Sequence, residues 1–353
     1  MLVNKPIRLL LCRQCLTALF VAFFVVPTHP DLPAQACVPS GMPGSHNAVW
    51  SGVGGFFPGV FFSDVMEAAR RAGDAGPYWV RSAAEQKALD RLTSDYTSIL
   101  LNNDVLAFYG HPLSRQMGIL GRYPIEELHG MLAELAEEYR ALNGERGIVK
   151  AFYIIYGTVW PGGDIGYINH AVLKRWVEYA LEHDMLVFVD HQIGRFDPVE
   201  SLERMLPWLH YPNVHLALDP EWRTDRPMLE IGGVTAEELN RAQQLMEDYI
   251  IANNLPGERM LVVHQFHQRM ILNREDVRGD FRRVRLVHNA SGIGSPSQKR
   301  VAHAFNGRAT NIPVKGFKLF YNFGIPGAGF DYPLMTPEEV LALRPRPFVI
   351  MYQ

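Results

Sequence analysis

From Val105 to the C-terminus, short apolar runs alternate with stretches in which apolar and charged residues mix. The runs are Val105 to His111, Ala151 to Tyr156, Leu186 to Asp190, Val214 to Asp219, Met260 to His264, Val284 to His288, Phe317 to Asn322 and Phe348 to Tyr352. Most are too continuously apolar to have a solvated face, which predicts strands covered on both sides. Between them, Ile125, Leu128, Leu132, Leu135, Tyr139 and Leu142 recur at spacings of three and four. That period predicts an amphipathic helix ending near Asn143-Gly144. Thr235-x-x-Glu238, Ser295-Pro296-x-Gln298 and Thr336-Pro337-Glu338-Glu339 carry the chemistry of helix starts, and Asp197-Pro198 is similar.

Eight buried-type strands alternating with helices predict a parallel sheet, and the count predicts a single-domain (β/α)8 TIM barrel over 101–353. An open doubly wound sheet would place G-x-G-x-x-G after the first strand, where the chain reads Tyr109-Gly110-His111-Pro112. No helix follows the eighth run in this sequence, so a helix over 83–100 is the candidate to close the ring. Residues 63–100 are expected to form helices packed on the barrel.

The N-terminal end changes the picture. Lys5, Arg8 and Arg13 precede an apolar run from Cys15 to Val26, and Ala34-Gln35-Ala36 follows. This order predicts a signal peptide over 1–36 and an exported protein, secreted or periplasmic. Residues 37–62 read as a Gly/Pro-rich leader. Cys37 would be the one cysteine left after cleavage, so no internal disulfide forms, and it is a candidate lipid anchor at the cell surface, the sole membrane contact expected. Composition is ordinary, 48% apolar and 20% charged. A net charge of -3 without a basic stripe makes no case for a nucleic-acid partner.

In such a barrel the chemistry gathers at the C-terminal ends of the strands. Here the runs end in Tyr109, His111, Tyr156, Asp190, His191, Asp219, His264, Gln265, His288, Tyr321 and Asn322. The fourth run continues into Pro220, Glu221 and Trp222. If the strand persists, Asp219 and Glu221 lie on one face, about 6–7 Å apart. Glycoside hydrolysis needs two carboxyl groups, one kept protonated. Glu221 is the candidate proton donor, and Asp219 and Asp190 are candidate nucleophile, base or electrostatic support. The polar and aromatic strand ends, with Trp222, are candidate substrate-binding residues for a carbohydrate, and no cofactor is called for.

Asp-x-Glu at the end of a fourth barrel strand resembles the chitinase-like and muramidase-like glycosidase families. That resemblance implies the acid role for Glu221. The region from Tyr109 to Tyr352 also resembles a group of exported actinobacterial-type proteins through Y-G-x-P, L-D-P-E-W, V-V-H-Q-F and P-x-Q-K. Two other functions fit the residue types. His111, His191, His264 and His288 with Asp190 and Asp219 suit a metal-dependent hydrolase. The same strand ends could hold a sugar or peptide without cleaving it.

Overall fold

The computed structural model describes residues 98–353. The signal peptide over 1–36, the leader over 37–62, the anchor at Cys37 and the helices over 63–97 lie outside the described residues. A helical turn, α1 (Ile99–Asn102), leads into the first strand, with Ser98 accepting from Leu100 N.

The barrel strands are β1 (Asn103–Gly110), β2 (Gly147–Val159), β3 (Leu186–His191), β4 (Val214–Leu218), β5 (Arg259–Gln265), β6 (Val284–Ala290), β7 (Val314–Leu319) and β8 (Pro347–Tyr352). Each pairs in parallel with its sequence neighbours, and β1 pairs with both β2 and β8, so the eight strands close into a (β/α)8 barrel. The ring is therefore closed by strand pairing. The turn α1 instead places Ile99 and Leu100 in the apolar cluster that fills the interior. Beneath it, buried Asp104 accepts from Arg146 Nε (2.9 Å) and Arg346 Nη2 (2.6 Å), tying the lower ends of β1, β2 and β8.

The helices are α2 (Ile125–Leu142), α3 (His170–Glu182), α4 (Pro198–Glu203), α5 (Ala236–Ala252), α6 (Pro296–Gly307) and α7 (Pro337–Leu341). Helices α5, α6 and α7 begin with the capping boxes expected of Thr235, Ser295 and Thr336. No α-helix links β5 to β6, where 3-10 turns at Gln268–Met270 and Arg274–Asp276 stand instead. That stretch, H-Q-R-M-I-L-N-R-E-D-V-R-G-D, lacks a helical apolar period. Strand β2 runs beyond the barrel and pairs antiparallel with Ile165–Tyr167, forming a hairpin above the rim. No helix among the described residues is long and apolar enough to cross a membrane.

Two apolar layers result. The inner one includes Val105, Ala107, Val149, Ala151, Leu186, Phe188, Ala217, Val262, Val349 and Met351. The outer one packs the alternate strand residues, such as Leu106, Phe152, Val187, Leu216, Val263 and Leu286, against the helices. Period-two alternation along each strand decides which layer a residue joins.

Candidate active site

The same alternation builds the site. Seven strand ends in succession point one side chain each into the mouth: Tyr109, Tyr153, Asp190, Asp219, His264, Asn289 and Lys318. All seven are at most 5% exposed. The Tyr109 hydroxyl donates to Asp190 Oδ2 at 2.9 Å. His264 Nε2 lies 2.8 Å from the Tyr153 hydroxyl and 3.8 Å from Asp190 Oδ2. Asn289 Nδ2 lies 3.1 Å from His264 Nδ1. With that amide donating, the neutral imidazole carries its proton on Nε2, toward Tyr153 and Asp190. Gly316 makes room for this arrangement, since a Cβ there would come within 2.6 Å of Asn289 Oδ1.

Asp219 ends β4, and Glu221 does not continue the strand. Pro220, lacking an N–H and with fixed φ, turns the chain into a 3-10 turn over Pro220–Trp222. The face-sharing expected of Asp219 and Glu221 on one strand is thus replaced by a turn that folds over Asp219. The Trp222 indole donates to the Asp219 carboxylate, and the Glu221 backbone N–H faces it without closing a cap hydrogen bond. Glu221 stands partly exposed at the rim, enclosed by protein on its other sides. The turn is held from behind. Arg223 bonds both carboxylate oxygens of Glu238 (2.6 and 3.0 Å) and the carbonyls of Gly233 and Phe196. Glu238 is also the third residue of the α5 capping box.

Three carboxyl groups and one ammonium share this enclosure. Burial, then the charge of Asp219, raises the Asp190 carboxyl to about 7. Burial raises Asp219, against the pull of Lys318, the Glu221 backbone N–H and the Trp222 indole. Burial, then Asp219, raises Glu221 to about 8. Burial lowers Lys318 to about 8 although all three acids oppose that shift. His264 is pushed well below its usual value by burial and by Lys318. The groups titrate as a set, and around neutrality they retain protons that isolated carboxyls would have lost.

The remaining expected residues go elsewhere. His191 points outward, fully buried, against the rings of Tyr156 (6.0 Å) and Tyr167 (5.6 Å). Gln265 and His288 also face outward and bond each other at 2.7 Å, with Arg274 Nη1 donating to the same Gln265 oxygen at 3.0 Å. Tyr321 stacks on Tyr352 at 5.3 Å in the outer layer. Asn322 is exposed and accepts from Gly324 N. His111 lies in the loop after β1, where its Nδ1 accepts from Leu113 N. The four histidines proposed as metal ligands are therefore dispersed, and no group of three or more His, Cys, Asp or Glu among the described residues is arranged to hold a metal ion. Tyr153 and Lys318 went unnoticed in the sequence, although both are polar groups within apolar runs (A-F-Y-I-I-Y and F-K-L-F), at inward positions of their strands.

A shallow groove of about 500 Å³ lies far from this cluster, along α5 between Thr235 and Gln244 and across to Asn273 and Arg278. It has none of the enclosure that perturbs the mouth acids.

No family model matches the chain. Comparison with curated proteins finds no match either. Among solved structures, the chain is similar to a broad-specificity GH5-4 endoglucanase from Clostridum cellulovorans, with 10% identity and a TM-score of 0.40, over 75% of this chain and 86% of that one. It is similar to a chitinase from Chromobacterium violaceum, with 8% identity and a TM-score of 0.35, over 61% of this chain and 68% of that one. A GH138 enzyme targeting pectin rhamnogalacturonan II matches at 10% identity and a TM-score of 0.35, over 71% of this chain and 34% of that one. Scores this low carry nothing about activity here.

Proposed function

We propose that the chain hydrolyses glycosidic bonds of an extracellular or cell-wall carbohydrate, acting after export and removal of residues 1–36. The observation that carries this reading is the state of Glu221. It is the partly exposed member of the acid cluster, its carboxyl is raised to about 8, and Asp219 beside it is buried with the Trp222 indole donating to it. A carboxyl that keeps its proton at neutral pH, next to one held in a charged hydrogen-bonded environment, is the division of labour that glycoside cleavage requires.

In this reading Glu221 gives its proton to the glycosidic oxygen as the bond to the sugar lengthens. Positive charge develops on the ring, and Asp219, supported by Lys318, meets it as nucleophile, base or counter-charge. Asp190, held by Tyr109, supplies the neighbouring charge. Oδ1 of Asp190 and Oδ1 of Asp219 are buried with no hydrogen-bond partner among the described residues, and sugar hydroxyls entering the mouth would satisfy them.

The test is release of new reducing ends from a panel of cell-wall and extracellular polysaccharides. Cleavage that disappears in Glu221→Gln, with the fold intact by circular dichroism, supports the assignment. Cleavage at an undiminished rate removes Glu221 from the chemistry, and tight glycan binding without any cleavage replaces hydrolysis by binding.

A further inference from the structure

The described residues include three almost fully buried lysines, Lys299, Lys315 and Lys318, at 2%, 1% and 4% exposure. Two of them are tied down. Lys299 Nζ pairs with Asp331 at 2.9 Å and donates to the carbonyls of Gly292 and Lys318. Lys315 Nζ donates to the carbonyls of Ala309 (2.8 Å) and Ile312 (2.5 Å), with His288 Nδ1 at 3.5 Å. An ammonium has three donors, and in these two they are spent on the fold.

Lys318 is different. Its Nζ lies 3.4 Å from the centre of the Tyr109 ring, and it makes no hydrogen bond to the described residues. It points into the mouth of the barrel, while Lys299 holds its backbone carbonyl from behind. The charged and titratable groups facing it are Tyr109 from β1, Asp190 from β3, Asp219 and Glu221 from the end of β4, His264 from β5 and Lys299 from α6. An amine free of hydrogen bonds, in a buried enclosure, with proton donors and acceptors around it, has what covalent carbonyl chemistry needs.

We propose that Lys318 forms an imine with a small hydroxyaldehyde that enters the mouth past Glu221. The amine lone pair attacks the carbonyl carbon, so a C–N bond forms as the C=O π bond opens onto oxygen. That oxygen takes a proton from protonated Glu221, and the nitrogen gives one up to a neighbouring carboxylate. The carbinolamine then loses its hydroxyl as water, with a second proton from the acid cluster, as the nitrogen lone pair closes the C=N bond; the protonated imine returns that proton to a carboxylate. The balance is amine plus aldehyde to imine plus water, with nothing oxidised or reduced. The free Oδ1 atoms of Asp190 and Asp219 would accept from the aldehyde's hydroxyl group. This activity goes beyond glycan cleavage and does not depend on it.

The neutral amine is accessible at moderate pH, because burial brings Lys318 down to about 8 from 10.5. At neutral pH its unprotonated fraction exceeds that of an ordinary lysine by about three hundredfold. Lys299 and Lys315 are lowered to a similar value, so the hydrogen bonding, not the titration, separates Lys318 from them.

The experiment treats the full chain with glycolaldehyde and sodium cyanoborohydride at neutral pH and maps the modified lysines by peptide mass spectrometry. Lys318 is expected to be labelled roughly tenfold faster than exposed Lys174, with Lys299 and Lys315 unlabelled. Labelling that follows exposure, with Lys318 silent, overturns the proposal, as does equal labelling of the three buried lysines. The map is read on the unaltered protein, so the outcome does not hinge on whether Lys318→Met folds. Glycan cleavage is not measured in it, so the two readings stand or fall separately.

Discussion

The two faces of one strand wall behave as different materials. Neighbouring residues supply both: Asp190 and His191, His264 and Gln265, Asn289 and His288. The first of each pair points inward to a cluster whose carboxyl oxygens are partly unpaired and whose protons are shared. Most of the second group point into a jacket of fixed hydrogen bonds, such as His288–Gln265–Arg274 and the carbonyl cage of Lys315. The jacket contributes stability because its donors have acceptors. The mouth gives up stability, because charges are buried there with fewer partners, and such uncompensated groups are characteristic of sites where chemistry occurs.

The sharpest way to break this comparison is Glu221→Gln. It should lower glycan cleavage by about 10²–10⁴-fold. The melting temperature should hold or rise, since a raised carboxyl is a stability cost around neutrality; a large fall in melting temperature would make Glu221 part of the jacket. Next in size is Asp331→Ala, at the junction of the two regions. Asp331 pairs with Lys299 and also accepts from Gly294 N and Phe320 N. Breaking such a buried pair should cost about 3–5 kcal/mol in denaturant unfolding. Lys315→Met, wholly in the jacket, should cost about 1–3 kcal/mol by leaving buried carbonyls unpaired. Its rate of glycan cleavage should match the parent, and a changed rate would mean the layers are coupled through β7.

A finer contrast lies in the pH dependence of stability. Asp190 and Glu221 have folded values of about 7 and about 8, above their ordinary ones. Their stabilising contribution is complete in acid, below their unfolded values, and is lost as pH rises to about 8. Lys299, Lys315 and Lys318 have folded values lowered to about 8. Their contribution is complete above their unfolded value of 10.5 and is lost as pH falls through about 8. Melting temperature should therefore pass through a shallow minimum near pH 8. Asp190→Asn should flatten the acid side of that minimum and Lys315→Met the alkaline side. Glycan cleavage should fall above about pH 8 as Glu221 loses its proton.

Much of the barrel was legible because its signals are local. Continuous apolar runs, a 3.6-residue period over α2 and three capping boxes each act within a few residues of chain. The absent helix between β5 and β6 was legible in principle too, since no apolar period runs through it. The site was harder to read. Listing every polar residue at a strand end merged the two faces, so His288 and Gln265 stood beside Asp190 as equals. The remedy was partly within the pattern: counting by twos from Tyr109, Tyr153 and Lys318 selects inward positions, provided the strand has no irregularity. Register shifts between Ile155 and Gly157 and between Lys315 and Gly316 make that count unsafe without coordinates.

Residue order along the chain was enough to set the eight strands, most of the helices and the placing of acids and aromatics where strands give way to loops. These follow from periodicity and capping, which are properties of neighbouring residues. Closure of β1 on β8, the inward or outward turn of each side chain and the meeting of Asp190, Asp219, Glu221 and Lys318 belong to the tertiary structure alone. Except for Asp219 and Glu221, which share one turn, those groups lie far apart in sequence, and their proton affinities arise from shared burial and mutual charge, which exist only once the barrel has closed around them.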